Sequence, residues 1–488
     1  MNRNLATFSL LLAVALTAHA DGQSPAIDTL VIKAHTRFLA HDLLAGRATG
    51  SEGNRLAALY IESQCRAMGL RPLAEQYELP VPLESATVLP STRLAIQSAR
   101  GSVDFLYSMD FIPNVGTKRT LRGFGGPTVF VGAEADVMKG RSEDLAIQGK
   151  VAVTIGPVRG AAADTLIARG ALGMVHLIGS ADGFDLYLRS RGSTRLYHRN
   201  PDVPSSFLPN LPSVLGGPRL ARALLSSAKV NGNGELAPQP LEWSLTYEPV
   251  LQRSPVDEIN VGCVFPGADR KAKDTAIVLT AHFDHLGVSL PDASGDSIYN
   301  GFSDNAAGVG MLLAVADALR RHTDEPPRHS VVFLFLTGEE RGLLGADYYV
   351  AHPAWPLERT AAAINLDAGA PPALPVSWRV AGGDSTGLGE IALIVAEKQG
   401  WKLTTSPARP NSDYYPFHRE GVPAAFIIPG PEPYEGLSAD SSKALRDRWD
   451  HYHQASDHWT EGFPFAGLGR YAELALLLLR EVDKGIPR

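Results

Sequence analysis

From Val261 onward, continuous apolar runs alternate with amphipathic stretches in a regular order. Ile277-Val278-Leu279-Thr280-Ala281, Val331-Val332-Phe333-Leu334-Phe335-Leu336 and Ala363-Ile364-Asn365-Leu366 have the texture of strands buried on both faces. The stretch after Asp304 places Val309, Leu312, Leu313, Ala316 and Leu319 on one helical stripe. It ends in Arg320 and Arg321, where cations complement the helix dipole. Leu468 to Val482, with Leu474 and Leu476 to Leu479, predicts a buried final helix. Strands alternating with helices predict an α/β fold, a mostly parallel sheet with helices on both faces.

Upstream the pattern differs. Residues 25 to 70 read as two helices around the turn Gly46-Arg47-Ala48-Thr49-Gly50-Ser51. The second carries Leu56, Leu59, Tyr60, Ser63 and Ala67 on one face and stops at Met68-Gly69, as a glycine C-cap would stop it. From about residue 75 to 248, short β-rich runs such as Thr128-Val129-Phe130-Val131 and Lys150-Val151-Ala152-Val153-Thr154-Ile155 are punctuated by glycine and proline. They predict a separate β-rich module with one α/β step, a helix over Ala161 to Arg169 leading into the run Gly170 to Ile178. The loop-like stretch Asp182 to Pro212 then holds Arg189, Arg191, Arg195 and Arg199. These arginines read either as a lid contacting substrate carboxylates or as a solvated surface, and charge runs are usually solvated.

A length of 488 residues implies two or more domains. The formal charge of -7, from 45 basic and 52 acidic residues, gives no reason to expect nucleic acid or an anionic membrane as partner. At the N-terminus, Arg3 precedes the apolar run Leu10 to Leu16 and the small-residue site Ala18-His19-Ala20. This reads as a secretory signal peptide over residues 1–20, its apolar core far shorter than the ~20 residues of a membrane span. Cleavage near Ala20 would leave a periplasmic or secreted chain, where Cys65 and Cys263 either pair or stay as two free thiols.

Five ligand-type residues lie in the second half, mostly where a strand runs out. His282 ends the run from Ile277, Asp304 precedes a helix, Glu340 follows the run ending at Leu336, Asp367 follows Leu366, and His453 lies near the C-terminal end. Strand ends are where an open α/β sheet presents side chains to ligands. Two divalent ions about 3.5 to 4 Å apart can clamp a carbonyl oxygen and a bridging water. Imidazole with carboxylate suits zinc, with cobalt or manganese as substitutes. Such a site needs a bridging carboxylate, further ligands and a base that does not bind metal. In Glu339-Glu340, adjacent residues leaving a strand point in different directions, so one can bind metal while the other meets the water. Asp284 is placed to accept from the second ring nitrogen of His282. Singly, each of these is more often a cap or a surface charge; their joint occurrence is what points to a metal centre.

The segments Ala281-His282-Phe283-Asp284-His285-Leu286-Gly287, Asp304-Asn305-Ala306-Ala307-Gly308, Thr337-Gly338-Glu339-Glu340-Arg341-Gly342-Leu343-Leu344-Gly345, Asn365-Leu366-Asp367 and Tyr452-His453 resemble the co-catalytic di-zinc aminopeptidase family over roughly residues 250–488. Leu44-Ala45-Gly46-Arg47-Ala48-Thr49-Gly50 resembles the opening of bacterial members that carry an inserted protease-associated domain. The resemblance implies a helical N-terminal part over 21–100, a protease-associated-like insert over 101–248 and a catalytic domain over 249–488. It implies two zinc ions per chain, bridged by Asp304, with His282 and Asp367 on one and Glu340 and His453 on the other. Glu339 would be the general base, Tyr452 would hydrogen-bond the tetrahedral intermediate, Asp413 would lie on the substrate side, and the Asp304-Asn305 peptide would be cis. The implied reaction is hydrolysis of N-terminal bonds in peptide substrates. Gly301-Phe302-Ser303-Asp304 departs from the family's more acidic approach, and His451 and His458 flank His453.

Three other readings compete. Gly383-Asp384-Ser385-Thr386-Gly387 matches G-x-S-x-G, with Asp413 or Asp450 and His453 following in the order of a serine hydrolase, but this leaves Asp304 and Glu339-Glu340 without a role. A non-catalytic binding protein would be expected to have lost ligands. A carboxypeptidase acting on acidic or dipeptide substrates draws support only from the loop arginines.

Overall fold

In the computed structural model, the described residues are 27–114, 118–191, 194–206, 211–289, 291–322, 324–367, 369–383 and 387–485. The signal peptide and Asp384, Ser385 and Thr386 of the serine motif lie outside them.

The large sheet uses β1 (Glu78–Val88), β2 (Thr194–His198), β3 (Leu251–Phe265), β4 (Ala276–His282), β5 (Ser330–Leu336), β6 (Thr360–Leu366), β7 (Ser377–Ala381), β8 (Lys402–Ser406) and β9 (Ala424–Pro429). Their spatial order is β8-β7-β9-β6-β4-β5-β3-β1-β2, with the short strand Arg71–Pro72 also on β3. The central four, β9, β6, β4 and β5, run parallel, while antiparallel pairings extend the sheet on both sides. Every residue of β4 and β5 is buried, as continuous apolar runs require.

Helices cover both faces. Helices α1 (Thr29–Leu39), α2 (Glu52–Ala67), α3 (Ala307–Arg321), α4 (Leu344–Ala351), α5 (Gly387–Gln399), α6 (Tyr414–Arg419), α7 (Ala439–Trp449) and α8 (Ala466–Lys484) surround the sheet. Residues of α1, α2, α3, α5 and α8 share one apolar core, and Ala346, Tyr349 and Phe417 of α4 and α6 belong to another. A second sheet of eight strands lies between Arg93 and Glu248, with its own core of residues such as Leu94, Phe130, Val153, Val175 and Leu245.

One local reading is completed and one is corrected. The α2 face bearing Leu56 and Leu59 points outward, with these residues 41% and 55% exposed. The buried side is Ala57, Ala58, Ile61 and Cys65, and it packs on β3. Cys65 and Cys263 form a disulfide that fastens it there. The stretch Asp182 to Pro212 is not a simple loop, since it holds the helix Ala181–Arg191 and β2. Phe184 anchors that helix against Ile112, Ile178 and Leu215, and β2 pairs with β1 from Thr87↔Thr194 to Leu83↔His198. Long-range backbone pairing overrides the polar composition. Arg199 is engaged there, 2.7 Å from Asp257 and donating to the Leu83 carbonyl.

In α1, His35 Nδ1 lies 2.9 Å from the Tyr60 hydroxyl, and burial lowers the imidazole to about 4 against a partial opposing effect of Asp317. The unfolded chain therefore binds this proton first as the pH falls through 6.5, and the folded chain only near 4. Stability should drop across that window by roughly 3 kcal/mol on account of this group. Denaturant unfolding at pH 7, 5 and 4 should show a flatter profile for His35→Gln; an equally steep one would remove His35 as the cause.

Candidate metal centre

The parallel centre of the sheet determines what meets at its carboxyl edge. His282 is the last residue of β4 and Asp367 the first after β6, its neighbour. Glu339 and Glu340 follow β5 after Thr337 and Gly338, whose φ of +73° suits glycine. Asp304 sits in an irregular turn ahead of α3, and its peptide bond to Asn305 is cis. His453 arrives from the loop after α7 with φ +58°.

The structure gathers all five residues. His282 Nε2 lies 3.0 Å from Asp367 Oδ1 and 3.2 Å from Asp304 Oδ1. His453 Nε2 lies 3.0 Å from Asp304 Oδ2 and 3.3 Å from Glu340 Oε2. The two oxygens of Asp304 thus face two different imidazole-carboxylate sets. Burial alone would lower His282, but Asp367 and Glu339 outweigh it and hold the imidazole well above its ordinary value. Burial would raise Asp304, yet His282 and His453 hold it well below the usual carboxylate range. Glu339 is pushed well above that range by burial, with Asp367, Glu340 and Asp413 adding to it against His282.

Residues 260–479, which contain all of these side chains, match the sequence model of peptidase family M28. These residues form a peptidase family M28 domain. The fold is shared with an aminopeptidase from Aneurinibacillus sp. strain AM-1, at 19% identity, a TM-score of 0.57 and coverage of 93% of this chain and 94% of that one. Among curated relatives, the "probable leucine aminopeptidase 2" of Aspergillus oryzae is 28% identical over 181 residues, 33% of this chain and 34% of that protein. The alkaline phosphatase isozyme conversion protein of Escherichia coli is 33% identical over 97 residues, 19% of this chain and 27% of its own length. The matched segments thus span about a third or less of these curated relatives.

Around this grouping in the M28 domain, several residues hold the candidate ligands from behind. His285 Nδ1 lies 2.7 Å from Glu340 Oε1 and 4.0 Å from Asp304 Oδ2, so it is a second imidazole against the same pair as His453. Ser412 donates to Asp367 Oδ2 and accepts from Asn365 Nδ2 at 2.6 Å. Asp457 accepts from the backbone N–H groups of Ser303 and Asp304 at 2.9 and 3.2 Å, fixing the turn that carries Asp304. Asp284 faces His282 through its backbone carbonyl, 3.1 Å from Nδ1, while its carboxylate lies 3.7 Å from that nitrogen. That carboxylate accepts instead from the Glu339 N–H at 3.1 Å and the Thr49 hydroxyl at 2.8 Å.

Behind these lies Arg47, fully buried and donating only to backbone carbonyls, those of Phe283, Leu39, Asn300 and Gly301. Burial lowers it to about 10, so it remains charged at neutral pH. Sequence reasoning gave Arg47 and Asp457 no role at the site. His285 could have been noticed from its place in the His282-Phe283-Asp284-His285 cluster.

The remaining residues singled out in the sequence fall differently. Asp413 is wholly buried at the start of α6, and neither carboxylate oxygen has a hydrogen-bond partner among the described residues. Burial, with Asp367, Asp284 and Asp347, raises it well above the usual range against His282. Tyr452 is 56% exposed and stacks on His453, with ring centroids 3.8 Å apart. It stands at the wall of a cavity of about 540 Å³ that also reaches Asp304, Glu339 and Asp367.

Proposed function

We propose that this M28 chain is an exopeptidase that uses two zinc ions to hydrolyse N-terminal peptide bonds. The observation that carries this reading is the division of Asp304, one oxygen toward His282 and Asp367 and the other toward His453 and Glu340. Buried nitrogen and oxygen donors grouped as His282, Asp304 and Asp367 suit zinc, as do those grouped as His285, Asp304 and the half-buried Glu340. Two such ions, when bound, would lower the pKa of water and polarise a carbonyl. We assign the second set's histidine to His453, which lies 3.0 Å from Asp304 and 3.3 Å from Glu340, and give His285, 2.7 Å from Glu340, the part of orienting that carboxylate.

Glu339 takes a proton from the attacking water and returns it to the leaving amine as the C–N bond breaks. Its backbone is held by Asp284, and its carboxyl reaches the cavity. Tyr452 offers a hydroxyl at the cavity wall to the oxygen that gains charge. The name of the Aspergillus oryzae relative supports aminopeptidase over carboxypeptidase activity. Of the loop arginines, Arg199 gives the latter no support, because it is committed to Asp257. We read the second sheet as the protease-associated-like insert, and the chain as exported after removal of its leader. Among the described residues no helix is long and apolar enough to cross a membrane.

Chelation should abolish hydrolysis of aminoacyl substrates and zinc should restore it, with two equivalents measured by elemental analysis. Activity that resists chelation and is lost to serine-directed reagents would overturn the metallopeptidase reading.

A further inference from the structure

The cavity beside the metal centre is mostly apolar, walled by side chains such as Phe426, Ile428, Tyr434 and Trp449. Two guanidinium groups break this wall. Arg446 is engaged, its guanidinium 4.6 Å from the Tyr434 ring centroid and donating to the Glu432 carbonyl. Arg379 is different. Side chains alternate along β7, so Trp378 and Val380 enter the core shared with α5 and α8, while Arg379 faces the other way. There it is paired across strands with Ile428, whose side chain lines the same cavity. Arg379 is exposed and makes no hydrogen bond or ion pair among the described residues, and Asp450 on the same wall does not pair with it.

A cation without a counter-charge, on the wall of a cavity that ends at Asp304, Glu339 and Asp367, is placed to meet a charge that arrives with the ligand. Planar guanidinium groups bind carboxylates bidentately, which gives direction as well as affinity. The cavity, at about 540 Å³, is within the range of small-ligand sites. We propose that Arg379 receives a carboxylate of the substrate and biases this enzyme toward acidic peptides. The carboxylate comes either from an Asp or Glu side chain or from the free C-terminus of a short peptide. This inference rests on the peptidase reading given above.

The test compares two substrate pairs in wild type and Arg379→Gln. Glutamyl-4-nitroanilide against glutaminyl-4-nitroanilide isolates the side-chain carboxylate. Leucyl-alanine against leucyl-alaninamide isolates the terminal one. In one pair, the carboxylate-to-amide ratio of kcat/KM should fall about tenfold or more in Arg379→Gln, chiefly through KM, as expected for loss of a charge-assisted hydrogen bond. Which pair responds identifies the source of the carboxylate. Arg379→Lys, which keeps the charge but not the fork, should recover part of the ratio. Because each ratio is internal to one variant, partial misfolding cancels from it. An active enzyme whose two ratios are unmoved by Arg379→Gln would overturn the assignment of Arg379. A zinc-loaded wild type that cleaves none of the four substrates would overturn the peptidase reading and this inference with it.

Discussion

Glu339→Gln should lower kcat by about 10²- to 10⁴-fold while leaving the zinc content at its wild-type value. The substitution keeps the shape of the side chain and the backbone N–H that Asp284 holds at 3.1 Å, but it cannot take up a proton. Elemental analysis alongside steady-state kinetics separates the two roles. A loss of metal would make Glu339 a ligand, and a kcat within a few-fold of wild type would mean that another group moves the proton. Its neighbour should behave in the opposite way. Glu340 lies 3.3 Å from His453 and 2.7 Å from His285, so its replacement should empty part of the site.

Arg47→Met should produce the largest loss of stability expected outside the apolar core. The guanidinium serves four buried carbonyls, and each acceptor left without a donor costs about 1–3 kcal/mol. Even partial relaxation leaves a destabilisation of about 4 kcal/mol or more, beyond what most single substitutions cause. Arg47→Lys, with three donors on a compact head, should recover only part of it. Two of the carbonyls belong to Phe283, next to His282, and Gly301, three residues before Asp304, so chelator competition should also show weaker metal retention. Wild-type unfolding midpoints and metal retention in Arg47→Met would show that the carbonyls find other donors.

The grouping of the candidate ligands was legible in the sequence because most of them have a local signature. His282 and Asp367 stand where a buried strand stops, and Glu339-Glu340 follow a glycine turn. The residues that hold them were not legible, because their partners are distant in the chain. Arg47 meets Phe283 across 236 positions, Asp457 meets Ser303 across 154, and Ser412 meets Asp367 across 45. The fold shows the same division. The buried strands β4 and β5 follow from unbroken apolar runs. The outward face of α2 and the strand β2 do not, because each is decided by a surface contributed from elsewhere, β3 for the helix and the free edge of β1 for the strand.

The placement of β2 bears on how the chain could be shortened. Val88 and Leu251 are paired neighbours at the ends of β1 and β3, so a direct turn between them would appear to splice out everything in between. Yet β2 lies within that segment, and it returns to the large sheet as the outermost strand, covering the edge of β1. Excision would strip that cover and unpair Leu83–Thr87 of the eleven-residue strand on one side, a template for joining other chains edge to edge. A minimal version of this protein must therefore keep residues 194–198, or blunt the edge of β1 with charge or proline, if it is to avoid pairing through that edge.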